Sequence, residues 1–85
     1  MSEAKVGYVK DYFAMVGVAA IELTDGRLAV GDTIHIKGHT TELIQRVDSI
    51  QLEHQALEHA EPGQLIGIKV RERVRQHDQV FKVTE

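Results

Sequence analysis

The sequence has no cysteine. That excludes a disulfide framework, a thiolate metal site and a cysteine nucleophile, and it fits a reducing compartment. Aromatics are scarce, at 5% of the chain: Tyr8, Tyr12, Phe13 and Phe81 are all there is for stacking. A basic excess is also missing. Ten Lys and Arg stand against 13 Asp and Glu, a formal net charge of -3. Coating a phosphate backbone normally draws on surplus positive charge, so bulk nucleic-acid binding starts at a disadvantage. No apolar run approaches the roughly 20 residues that span a bilayer. The polar start, Met1-Ser2-Glu3-Ala4-Lys5, opens no signal or transit segment. The expectation is a cytoplasmic protein with no membrane partner.

What is present is 85 residues, 42% hydrophobic and 27% charged. That suffices for one small domain with an efficient core. The expected division is a flexible N-terminus over residues 1–5 and one domain over 6–85.

The local pattern is that of strands. Val6–Phe13 and Val18–Leu23 are rich in β-branched and aromatic residues. Thr24-Asp25-Gly26 carries an Asp-Gly hairpin signal. Thr33–Lys37 alternates, with Ile34 and Ile36 on one face, and Ile66, Ile68 and Val70 share a face further on. Between Thr40 and Gln55 the apolar phase changes after Val47. One long bulged strand would account for that, since an extra residue flips the alternation. Ala56–Ala60 reads as a helical turn before Pro62-Gly63, and Val80–Val83 as a last strand. Six or seven short strands separated by turns predict an all-β domain, and closure into a small barrel would remove its sheet edges.

Few constellations carry chemistry. Gly26-Arg27-Leu28-Ala29-Val30-Gly31-Asp32-Thr33 has phosphate-loop spacing, but Asp32 occupies the lysine position and would repel phosphates. These glycines read as turn residues, with no nucleotide partner. Five histidines invite a metal, yet neither the spacing of His35 and His39 nor the interval of five between His54 and His59 converges on a strand or helix face. They read as solvated side chains whose protonation near pH 6–7 would reduce the negative charge. Ser2 and Ser49 are the only serines, and neither sits in a nucleophile elbow. No enzymatic activity, metal or cofactor is expected. One basic cluster remains. Lys69, Arg71, Arg73 and Arg75 alternate and could line one edge, facing a phosphate backbone or an acidic protein surface.

The ordered series Val18, Ile21-Glu22-Leu23, Gly26, Leu28, Gly31-Asp32, Ile34, Ile36, Gly38, and later Ala60, Pro62-Gly63, Ile66-Gly67-Ile68, resembles the second domain of translational GTPases such as elongation factor Tu and the bacterial initiation factor. It is most similar to small stand-alone elongation factor-like proteins. Similar barrels are also appended to some collagenase-like peptidases. The resemblance implies a closed six-stranded Greek-key β-barrel that lacks the GTP-binding domain. It also implies a surface for the acceptor end of transfer RNA, placed here near Tyr12, Ala14, Val18 and Ala20 with Gln51 and His54. Gln51 replaces an acidic residue and His54 a fixed cation. Tyr12 and Phe13 are the candidate stacking residues, with core packing as the alternative for either.

The leading expectation is therefore a non-catalytic module that binds RNA or a ribosome-associated protein through Tyr12, Gln51, His54, Arg71, Arg73 and Arg75. The second is an accessory or regulatory subunit beside an enzyme such as a collagenase-like peptidase, without RNA. A likeness in shape to flavin-binding reductase barrels stops at the missing Arg-x-Tyr-Ser motif.

Overall fold

The computed structural model describes residues 2–84. Ten strands follow one another: β1 (Ser2–Phe13), β2 (Val18–Leu23), β3 (Leu28–Ala29), β4 (Thr33–Lys37), β5 (Glu42–Arg46), β6 (Ile50–Leu52), β7 (Gln55–Leu57), β8 (His59–Ala60), β9 (Leu65–Lys69) and β10 (Gln79–Thr84). Eight form one antiparallel sheet in the order β5-β4-β10-β1-β2-β9-β6-β7, while β3 and β8 form a separate two-stranded ribbon. Among the described residues no helix is long and apolar enough to cross a membrane.

Alternation builds the core. Ala19, Ile21 and Leu23 point inward from β2, Ile34 and Ile36 from β4, and Ile66 and Ile68 from β9. They meet Val9, Val47, Ile50, Val74 and Val80 in one buried cluster. Period-two alternation puts the apolar set of each strand on one face, which is the face the sheet buries.

Strand β1 organises the sheet, because it pairs with β10 on one side and β2 on the other. Its register slips between Lys5 and Gly7 against β10, and between Val9 and Asp11 against β2. Each slip is a bulge that bends the strand and strengthens its twist. Gly7 sits between Val80 and Leu23 just past the first bulge. A side chain there would run into the Glu22 carbonyl, so the residue must be glycine. Ser2–Lys5, part of the stretch 1–5 set apart in sequence, is strand paired with Phe81–Thr84.

Several expectations are corrected. Hydrogen bonding does not close a six-stranded barrel: the end strands β5 and β7 do not pair with each other. The Thr40–Gln55 stretch is not one bulged strand. β5 pairs with β4 at one end of the sheet, and β6 pairs with β9 and β7 at the other. The change of phase after Val47 marks a crossing between the two ends. Residues 56–60 are the end of β7, a bend at Glu58 and β8 rather than a helical turn. Asp25-Gly26 joins β2 to β3, which do not pair. The β1–β2 hairpin turns instead at residues 14–17, where Gly17 (φ 68°) and Val16 donate backbone bonds to the Phe13 carbonyl.

Candidate functional site

The outer face of β2, β9 and β6 carries a groove. Register aligns Ala20 with Gly67, and Gly67 with Gln51, so two of the smallest side chains form its floor. A methyl group on Gly67 would approach the Val18 Cγ1 at 3.3 Å. Phe13, Val18 and Leu65 supply apolar walls, and Gln51 and His54 supply polar groups. The structure thus brings together five of the residues marked in sequence: Phe13, Val18, Ala20, Gln51 and His54. His54 reaches the rim from a two-residue turn between β6 and β7, in which Glu53 (φ 50°) and His54 (φ 69°) are both left-handed. Such turns match strand twist but normally use Asn-Gly.

Tyr12 lies elsewhere. It packs against the core cluster and lines a cleft with Asp11, Arg73, Val74, Arg75 and Gln76. The single patch expected from Tyr12, Gln51 and His54 is therefore two surfaces. Phe13, the next residue, is half exposed beside the groove.

The arginines lie outside the strands, in a loop over residues 70–78. The loop is pinned along its length. The Val70 N–H donates to the Gly17 carbonyl at 2.9 Å, and the His77 N–H to Val9 at 2.8 Å. The Gln76 amide donates to the Lys10 carbonyl at 3.1 Å. Asp78 accepts from the Arg75 N–H at 2.9 Å. Gln45, buried on β5, donates to the Lys69 carbonyl at 3.0 Å and accepts from the Arg71 N–H at 2.8 Å. Val70, Val74 and Asp78 are buried, while Arg71, Arg73 and Arg75 stay exposed. Among the described residues none of these arginines forms an ion pair. Arg75 Nε donates to the Thr40 hydroxyl at 3.0 Å.

A third feature was not legible in sequence. His35 is not solvated: only 7% of it is exposed. Its Nδ1 donates to Glu3 at 2.9 Å, and its Nε2 faces the Glu42 carboxylate. Phe81 flanks the ring at 6.5 Å between centroids. Burial, the largest influence, disfavours the charged ring. Hydrogen bonds and attraction from Glu3 and Glu42 together outweigh it, so the His35 pKa is raised. The other four histidines are exposed. Among the described residues no group of three His, Asp or Glu is placed to hold a metal. A hollow of ≈ 440 Å³ between Val30, Asp48, Ser49, Ala56 and Glu58 contains none of the six residues expected to bind RNA or a partner. It lies beside the free edge of β7.

No protein-family model matches the chain. A collagenase of Porphyromonas gingivalis is 44% identical over 78 residues, which are 91% of this chain and 22% of the collagenase. The chain is similar to part of a peptidase. An uncharacterised protease of Methanocaldococcus jannaschii is 38% identical over 82 residues, 95% of this chain and 20% of the protease. The chain thus spans about a fifth of the length of the curated relatives it matches. Among solved structures, the C-terminal domain of a Geobacillus thermoleovorans protein described as a U32 peptidase has the same fold. Its TM-score is 0.86 at 22% identity, over 93% of this chain and 91% of that one.

These relatives overturn the translation-factor reading. They are named as collagenases and a protease, and the matching fold is a peptidase domain rather than an elongation factor. The transfer of an acceptor-end pocket to Tyr12, Gln51 and His54 loses its basis, and with it the transfer RNA and ribosome-associated partners. The geometry points the same way, since Tyr12 faces a different surface from Gln51 and His54.

Proposed function

We propose that the chain is a non-catalytic accessory domain that works beside a collagenase-like or U32-type peptidase unit through protein contact, either within one polypeptide or as a separate subunit. The observation that carries this reading is the match itself. Nearly the whole chain corresponds to about a fifth of a collagenase, at 44% identity, and again to about a fifth of an archaeal protease. A self-contained unit that recurs inside larger peptidases is best explained as a module serving them. The chemistry agrees. The inward faces are taken up by aliphatic packing, and Gln51, His54, Arg73 and Arg75 lie outward on open surfaces. Open surfaces suit contact; catalysis favours groups converging in an enclosed, water-poor pocket.

The test uses the Porphyromonas gingivalis collagenase with its matching 78-residue segment deleted, taken forward once circular dichroism shows it folded. The chain, titrated into it by calorimetry, should bind with a dissociation constant of about micromolar order, as expected for a transient contact. No heat of binding at concentrations of about 100 μM, well above that range, would overturn the reading.

A further inference from the structure

The β1–β2 turn and the arginine loop share one end of the molecule. Gly17 of the turn accepts a backbone bond from Val70 of the loop, and Val16, Val18 and Lys69 line one hollow between them. The turn exposes apolar side chains that a solvated tip does not need: Met15 is 99% exposed, Val16 61% and Phe13 50%. Lys69 shares a hollow with Val16, and the segment that follows it carries Arg71, Arg73 and Arg75, the last two beside Tyr12 and Asp11. The loop's own carboxylates do little to offset these charges. Asp78 is buried against the Arg75 amide, which leaves Glu72 as the one exposed carboxylate over residues 69–78.

Among the described residues outside this end, three of the six Lys and Arg side chains are paired, and Lys5, Lys37 and Arg46 stand singly and apart. Lys10 meets Glu22, Arg27 meets Glu61 and Lys82 meets Asp32. A chain of net charge -3 thus concentrates four unpaired cations within residues 69–75, in a segment bonded to an apolar turn. Aromatic, Met and Arg side chains are the ones that interface centres favour. The loop is also held in place by the bonds to Gly17, Gln45, Val9 and Asp78. A pre-ordered surface loses little conformational entropy on binding.

We propose that this end of the molecule, the β1–β2 turn together with the arginine loop, is the surface that docks onto the peptidase unit, and that its counterpart there is acidic around an apolar centre. The proposal rests on the accessory-domain reading and names the surface that reading leaves open. Charge complementarity selects the partner: four unpaired cations favour a carboxylate-bearing surface and disfavour a basic one.

The experiment titrates three forms of the chain into the same truncated collagenase, at about 50 mM and about 300 mM salt, a range over which screening of exposed charges changes strongly. The wild type should bind more weakly at the higher salt. The double reversal Arg71→Glu/Arg73→Glu should weaken binding at low salt about tenfold or more, and Met15→Ser several-fold. A charge-matched control, Lys5→Glu/Arg27→Glu, changes the net charge equally at the other end of β1 from the turn, where exposed Lys5 pairs opposite Phe81. It should stay within about twofold, the small effect expected of charges outside the contact. Thermal melts confirm that each variant is folded. Equal loss in loop and control variants, or no loss in the loop variant, would overturn the docking surface while leaving the accessory role intact. Absence of wild-type binding would instead remove the accessory role itself. Displacement of the collagenase by a nucleic acid at low salt, or formation of a dimer through the turn, would assign this end to another occupant and overturn the proposal.

Discussion

Nδ1 of His35 donates to Oε2 of Glu3 at 2.9 Å, although the residues are 32 apart in sequence and their strands, β4 and β1, are separated by β10. Glu42 from β5 faces the other ring nitrogen. Carboxylates accept and do not donate, so the protonated ring, with an N–H on each nitrogen, satisfies both partners and ties three strands together on the outer face of the sheet.

The linkage to pH follows from the raised pKa of His35. In the unfolded chain the ring titrates near ~6.5. Folding therefore favours the protonated form. The stabilisation is complete below ~6.5 and is lost as pH rises through the folded value. Melting temperature should fall as pH is raised from about 6 to about 9, and Glu3→Gln should bring the folded pKa of His35 down. NMR titration of the ring protons and melts across pH check both; a His35 pKa unchanged in the Glu3→Gln variant would refute the coupling.

The Glu53-His54 turn holds two residues with side chains in a left-handed conformation. Each carries a steric cost that glycine or asparagine avoids. Glu53→Asn/His54→Gly should stabilise the domain by about 0.5–1 kcal/mol, measured as a higher urea midpoint with an unchanged slope. Destabilisation would show that one of the two side chains holds the turn in a way its backbone does not reveal.

Gln45, buried on β5, bonds the end of β9 and the segment after it, through the Lys69 carbonyl and the Arg71 amide. Gln45→Leu leaves those groups without their partners and should cost about 1–3 kcal/mol. Faster hydrogen exchange at the Arg71 amide is expected as well, because the loop loses a fixed point.

Gly7→Ala should be among the more damaging single-methyl changes, at about 2–3 kcal/mol. The added methyl would meet the Glu22 backbone rather than a movable side chain. Chemical denaturation measures it directly. Gly63→Ala offers a contrast, since its site has open space, although its φ of +94° still adds backbone strain.

Much of the fold was legible in the sequence. Ile34 and Ile36, or Ile66 and Ile68, could only be one buried face of a strand. Glycine at 31 followed by Asp32 read as a turn, and in the structure Asp32 accepts the Ala29 N–H. The phase change after Val47 was visible as well, but its cause was not. A bulge and a crossing to the far end of the sheet produce the same apolar pattern, and only the choice of partner strand separates them.

The same limit applies to the surfaces. Val18, Ala20, Gln51 and His54 were marked and do share a groove, while Tyr12, marked with them, faces Arg73 and Arg75. His35 had no signal, because Glu3 is 32 residues away and Glu42 lies on the next strand, so only strand pairing brings either beside the ring. By itself the sequence determined that the chain is all-β, which side chains form its core, and that the loop after Lys69 is cationic. These follow from local alternation and composition. The tertiary structure alone decided which strands are neighbours, that β5 and β7 remain unpaired ends, that an imidazole is buried between two carboxylates, and that an apolar turn lies against the arginine loop. Those depend on contacts between residues far apart in the chain, and alternation records which face a residue takes, not which strand lies beside it.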